Sequence, residues 1–176
     1  HIPYETFDND DALLDRVVDE IVGQKVVGLF QGRYEWGPRA LGNRSILADP
    51  RRAAMKDIVN TKIKFREPFR PFAPVVLTER APEFFDFPQV ANSLPPRFML
   101  MVSPVKEDKL DVAQATTHEG GTGRLQTIDR DTNPRYYELV RRFGEATGVP
   151  ILLNTSFNLR GEPIVSSPAD AWKTFS

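Results

Sequence analysis

Between Arg33 and Arg70 the chain carries ten Lys/Arg against four Asp/Glu, with glycines and prolines threaded through the cations. That punctuation limits what the segment can fold into. Pro68, Pro71 and Pro74 cannot sit inside a helix, because proline lacks an N–H and clashes with the preceding turn. Gly32, Gly37 and Gly42 offer backbone conformations that other residues resist. Much of the stretch must therefore be loops slung between regular elements, and their chemistry suits an anion. Guanidinium forks meet phosphate oxygens two at a time, and glycines let backbone N–H groups come close to a negative charge.

Composition narrows the setting. At 176 residues and 40% hydrophobic the chain can bury one core, and its length favours a single domain. The net charge is −1, so any anion site arises by local segregation, and nucleic acid is not favoured globally. With no cysteine, a disulfide framework, a thiolate metal site and a thiol nucleophile are excluded, which fits a reducing compartment. There is no apolar run near membrane-spanning length and no signal-peptide pattern, so the expectation is a soluble, cytoplasmic protein. His1 is not a natural initiator, and Pro168 to Phe175 stops partway through a helical pattern, so a fragment of a longer protein is expected.

Periodicity predicts alternating elements. Asp8 or Asn9 can cap a helix with apolar Leu13, Leu14, Val17, Val18, Ile21 and Val22, ended by Gly23. Strands are predicted over Lys25 to Phe30, Ser45 to Ala48, Ala73 to Leu77, Phe98 to Val102, Arg124 to Ile128 and Val149 to Thr155. Pro74 restricts its strand to a start or an edge position. Helices are predicted from Asp49-Pro50 to about Val59, from Thr78 to Phe85, from Asn133-Pro134 to before Gly148, and from Ser167-Pro168 onward. Pro104 to Gly123 reads as a long surface connection. The order favours an α/β layer structure around a mixed sheet.

Two clusters stand out. Arg33, Arg39 and Arg44 surround Gly37, Pro38 and Gly42, and Trp36 with Pro38 stiffens a loop that would otherwise lose more entropy in holding an anion. A solvated, arginine-rich turn is the plainer alternative. Asn154 and Ser156 end an apolar strand, where open α/β sheets often bind ligands, and alternation puts them on one face. Capping or turning the chain is the competing role. His1 and His118 are the only histidines and make a poor ligand set, so no metal site is assigned and His118 is read as a surface residue. The phenylalanines and Trp36 could stack a base, but aromatics more often fill cores, and none is assigned to one.

Three blocks carry a resemblance. Gly32 to Leu47 (GRYEWGPRALGNRSIL), Lys64 to Pro74 (KFREPFRPFAP) and Leu153 to Val165 (LNTSFNLRGEPIV) resemble, in order and separation, the motifs of the C-terminal domain of the O-carbamoyltransferases that modify nodulation factors and antibiotics. The resemblance spans nearly the whole chain. It implies a YrdC-like fold, an open twisted mixed sheet with flanking helices, following an N-terminal actin-like ATPase-fold domain that this chain lacks. It implies that the domain converts carbamoyl phosphate and ATP, with magnesium accompanying the nucleotide, to carbamoyl-adenylate and pyrophosphate. The other domain, which holds the family's metal, would pass the carbamoyl group to an acceptor hydroxyl. Carried over by motif, Arg39, Lys64, Arg70 and Arg124 become the catalytic cations. Asn154, Ser156, Arg44, Arg66 and Thr122 become substrate-binding groups. Gly120 and Gly123 stand where the family more often has Asp and Ala, which implies a looser loop there.

Two other readings are compatible with the same residues. One is a non-catalytic module holding a nucleotide or, through its basic groove, RNA. The other is an interaction domain that docks the N-terminal half.

Overall fold

A computed structural model describes residues 4–176. Its frame is one six-stranded sheet of β1 (Val27–Phe30), β2 (Arg44–Ala48), β3 (Ala73–Leu77), β4 (Met101–Pro104), β5 (Thr122–Ile128) and β6 (Ile151–Ser156). The strand order is β1-β2-β6-β3-β5-β4, with β3 and β5 parallel and the other pairs antiparallel.

The helices divide between the two faces. On one, α1 (Asp10–Val22) and α4 (Pro134–Thr147) set Leu14, Ile21, Tyr136, Leu139 and Phe143 against Leu47, Val75, Leu77 and Leu152. Each such fully buried side chain contributes about 1.5–3 kcal/mol. On the other face, the short α2 (Ala54–Ile58) and α3 (Ala81–Phe84) bring Met55, Phe84 and Phe85 to the sheet, while α5 (Pro168–Phe175) lies near β1. The caps follow the sequence. Asn9 accepts from the Ala12 N–H at 2.9 Å, Asn133 accepts from Tyr136, Ser167 and Asp170 form a capping box, and Gly148 ends α4 at φ 77°.

Pro74 lies in an interior strand, yet pairing with β5 begins only at Val75, so no bond to β5 is asked of it. Asp49 does not start a helix as expected. Its buried carboxylate binds the Arg51 guanidinium and Gln24, and α2 begins at Ala54 before running into a π-helical turn, Val59–Ile63. Thr78 makes no cap bond; a 3₁₀ turn over Thr78–Arg80 leads into α3 instead. The strand expected from Phe98 is displaced, because Pro95–Phe98 forms a 3₁₀ turn and Met99 is left-handed at φ 57°. The connection after Pro104 is not purely superficial, since Ala113 and Ala115 are buried in the core. Among the described residues no helix is long and apolar enough to cross a membrane.

The face covered by α1 and α4 changes character toward one end. Leu47 is opposite Asn154, and Ser45 is opposite Ser156. Beyond the helices this face therefore turns polar, and the loops after β1, α2 and β6 gather over it.

Candidate functional site

A concave cleft of about 160 Å³ opens at this polar end, lined by Arg39, Arg66, Arg70, Arg124, Asn154 and Ser156 together with Pro38, Ala40, Pro71, Met99 and Thr155. A second compartment of about 220 Å³ shares Arg66, Arg70 and Ser156 and adds Lys64 and Arg160. The cations are close enough to act on one another. Burial and then the neighbouring Arg39 hold the Arg124 guanidinium below its ordinary range. Burial, followed by Arg70 and Arg124, pushes Arg66 down to about 10. Elsewhere Arg16, Arg51, Arg80, Arg141 and Arg142 pair with carboxylates. Among the described residues Arg39, Arg66 and Arg124 have no such partner, and Arg70 meets Glu67 only at 3.8 Å. Uncompensated like charges converging in a cleft favour binding an anion.

The floor is prepared for a polar ligand. Asn154 is fully buried, and its Nδ2 donates to Gln126 Oε1 at 2.7 Å and to Ala40 O at 3.0 Å. Its Oδ1 is buried without a partner, as is Arg124 Nε. An unpaired buried acceptor and an unpaired buried donor on residues lining one cleft are costly unless water or a ligand supplies the missing bonds.

Lys64 follows the π turn, its N–H bonded to Val59 O at 2.9 Å. Its ammonium is not a free donor. Nζ reaches Asn158 O at 2.9 Å, Asn158 Oδ1 at 2.8 Å, the Ser156 carbonyl and, at 3.3 Å, Ser156 Oγ. Lys64 thus ties the end of the π turn to the end of β6. Burial, with Arg66 adding repulsion, pushes it down to about 7, while the surrounding oxygens favour the charged form.

Asn60, fully buried on the π turn, shapes the Arg66 to Pro71 loop. Its Oδ1 accepts from Arg66 Nε at 2.7 Å, and its Nδ2 donates to Pro68 O at 3.0 Å and Arg70 O at 2.9 Å. Arg66 also stacks on Phe72, 4.7 Å from the ring centre. The Arg39 loop has a counterpart in Glu35, whose Oε1 accepts from the N–H groups of Leu41, Asn43 and Arg44 at 3.0, 2.7 and 3.1 Å. The amides of that glycine-bearing loop therefore serve an internal carboxylate, leaving its side chains for an external anion.

Two expected site residues lie elsewhere. Arg44 is buried, donates to Gln31 O and Asn43 O, and stacks 3.6 Å from the Phe30 ring centre, because β alternation turns it away from Ser45 and the cleft. Thr122 is two residues before Arg124 on β5 and lies 3.4 Å from His118 Nδ1, outside the cleft lining. His118 is half-buried rather than superficial, and burial followed by Arg124 holds its pKa low. The Gly120 to Gly123 turn is pinned, not loose: Val105 N–H donates to Gly121 O at 2.8 Å and His118 N–H to Thr122 O at 2.7 Å. Asn60 and Gln126 lie outside the three motif blocks, and Glu35 lies within the first without a role that the motif assigns. Their one sequence signal is a polar residue in company of a different kind, as Glu35 is between Tyr34 and Trp36.

The fold and the cleft define an α/β domain with a cationic cleft. Residues 18–176 match the family model for the carbamoyltransferase C-terminus, and the chain belongs to that family. It is 52% identical over 175 residues to nodulation protein NolNO of Sinorhizobium fredii, covering 99% of this chain and 25% of that protein. It is also 52% identical to nodulation protein NolO of Bradyrhizobium diazoefficiens, covering 94% and 30% respectively. The chain thus spans less than a third of the length of these relatives. A crystal structure of full-length HypF in a phosphate- and nucleotide-bound form superposes on 99% of this chain and 20% of its own, with a TM-score of 0.67 and 16% identity. The likeness carries the expected YrdC-like fold, an open mixed sheet with flanking helices.

Proposed function

We propose that this domain binds carbamoyl phosphate and ATP and forms carbamoyl-adenylate with release of pyrophosphate, within a longer O-carbamoyltransferase. The observation that carries the reading is the meeting of Arg39, Arg66, Arg70 and Arg124, from separate parts of the chain, over the buried amide of Asn154. In the first step water takes the phosphoryl group of carbamoyl phosphate as inorganic phosphate, freeing carbamate. A carbamate oxygen then attacks the α-phosphorus of ATP, and the bond to the β-phosphate oxygen breaks to release pyrophosphate. Both reactants are anions, so their approach is opposed until fixed cations offset the repulsion. A well-placed donor aimed at developing charge lowers such a barrier by about 3 kcal/mol, and holding the reactants in line supplies much of the remainder.

Arg39 and Arg124 would grip carbamoyl phosphate, with Asn154 Oδ1 accepting from the carbamoyl NH₂ and Ser156 Oγ serving a phosphate oxygen. Arg66 and Arg70 would span both reactants. Lys64 acts by positioning β6 and by its buried charge. Among the described residues no group of three or more His, Asp or Glu is arranged to hold a metal, and the cleft is cationic, so magnesium would ride on the nucleotide phosphates. Both substrates are cytoplasmic metabolites, and we place the reaction in the cytoplasm. The N-terminal domain would receive the carbamoyl group for the acceptor hydroxyl. The small volume of the cleft, about 160 Å³, favours small anions over a nucleic-acid strand.

The test is pyrophosphate release from ATP and magnesium, with and without carbamoyl phosphate, by the full-length protein. Release should require carbamoyl phosphate and fall about 100-fold in Arg39→Ala and Arg124→Ala. Undiminished release in both variants would overturn the assignment.

A further inference from the structure

We infer that Arg160 closes a polyphosphate subsite, separate from the carbamoyl phosphate subsite, that selects the nucleoside triphosphate and holds the departing pyrophosphate. The inference rests on the proposed adenylation and adds a residue and a division of labour to it. The cationic region comprises two adjoining hollows. The first holds Arg39, Arg124 and Asn154, and the second holds Lys64, Arg160 and the turn at Gly161, with Arg66, Arg70 and Ser156 lining both. An adenylation needs that layout. The attacked α-phosphorus must sit against the carbamate, while the two phosphates that leave must lie on its far side, in line.

The second compartment has the chemistry of a diphosphate site. Its wall is mainly polar, formed by Lys64, Arg66, Arg70 and Arg160, with Glu67 as an opposing carboxylate. Arg160 lies on the turn after β6, where Glu162 N–H donates to Leu159 O at 3.2 Å and Gly161 is left-handed at φ 82°. No atom lies within 4 Å of where a Gly161 Cβ would be, so the turn leaves room beside it. Arg160 Nη1 donates to Phe65 O at 3.2 Å, which stretches the side chain from the β6 turn to the Lys64 loop. Phe65 holds that carbonyl from a left-handed conformation at φ 46°, unfavourable for a residue with a side chain. Among the described residues no carboxylate pairs with Arg160, so the rest of its guanidinium is available to phosphate oxygens. One hydrogen bond to a carbonyl fixes its direction without neutralising it, which is the state a phosphate clamp needs.

Binding of pyrophosphate and of carbamoyl phosphate is measured separately by calorimetry on wild type, Arg160→Gln and Arg124→Gln, with melting temperatures checking the fold. Arg160→Gln should weaken pyrophosphate by on the order of tenfold or more and leave carbamoyl phosphate within about twofold. Arg124→Gln should show the reverse preference. In turnover, Arg160→Gln should raise KM for ATP and not for carbamoyl phosphate, with Arg160→Lys partly restoring it. Loss of both affinities together, or of neither, in Arg160→Gln overturns the subsite. If wild type binds pyrophosphate in an Arg160-dependent way but ignores carbamoyl phosphate, the subsite stands and the proposed reaction falls. If wild type binds no pyrophosphate, the subsite is overturned whatever carbamoyl phosphate does.

Discussion

Asn154 and Gln126 lie on β6 and β5, with β3 between them, and their side-chain amides still meet at 2.7 Å. The bond passes over β3 where Ala73, opposite Asn154, is too small to block it. Gln126 Nε2 goes on to Leu41 O at 3.1 Å, so the pair joins the sheet to the Arg39 loop. Gln126→Leu should leave a buried amide and a carbonyl unpaired and cost about 1–3 kcal/mol. Denaturant midpoints read the loss, and weaker carbamoyl phosphate binding should accompany it because Asn154 is no longer oriented.

Gly42 and Gly37 share a loop and positive φ, 116° and 102°, but only Gly42 is enclosed. A Cβ at Gly42 would fall 2.1 Å from Tyr136 Cδ1, whereas one at Gly37 meets nothing within 4 Å. Gly37→Ala should cost only backbone strain, about 1–2 kcal/mol, and Gly42→Ala should cost more, to the point of displacing the loop from α4. Comparable melting temperatures for the two variants would contradict the packing of Gly42 on Tyr136.

Asn60→Asp separates the two functions of that side chain. The oxygen facing Arg66 Nε is retained, the donors to Pro68 O and Arg70 O are lost, and a carboxylate is placed among the cleft cations. Anion affinity should fall by on the order of tenfold or more as the new charge competes with the ligand. Asn60→Ala should instead mainly loosen the Arg66 to Pro71 loop, visible as faster amide exchange there.

Lys64 predicts opposite pH trends for binding and stability. Its pKa is about 7 in the fold against an ordinary 10.5, with burial the main cause and Arg66 the second. Above about 7 the folded protein loses this charge, so affinity for pyrophosphate, whose compartment Lys64 lines, should fall as pH rises through that value. The unfolded chain keeps the proton up to 10.5, so it binds more protons across the interval and stability should rise with pH there. Lys64→Met should flatten both trends. A pH-independent affinity in wild type would show that the oxygens of Ser156 and Asn158 keep the ammonium charged.

Features governed by near neighbours were legible in the sequence. Asn9, Asn133 and Ser167 cap helices because a cap needs only a side-chain oxygen and an N–H within one turn. Asp49 opens only a turn, its Oδ1 accepting from the Arg51 N–H at 3.0 Å, while its carboxylate is also held by the Arg51 guanidinium and by distant Gln24, and the helix begins at Ala54. Arg44 was a candidate by motif and was withdrawn from the cleft by its place in β2, opposite Phe30. Alternation decides a side chain's face, and the register that sets it depends on another strand.

The sequence by itself determined the residue chemistry and the order of elements: cations among glycines and prolines, apolar strands, capped helices and the family's three motifs. Only the tertiary structure decided which cations face one another, that Glu35 takes the loop amides, that Lys64 is bound by β6 and the turn after it, and that Arg160 borders a second compartment. Local sequence specifies propensity over a few residues. Position in a common cleft depends on strand order and register across more than a hundred residues, and on burial that leaves Asn154 Oδ1 without a partner.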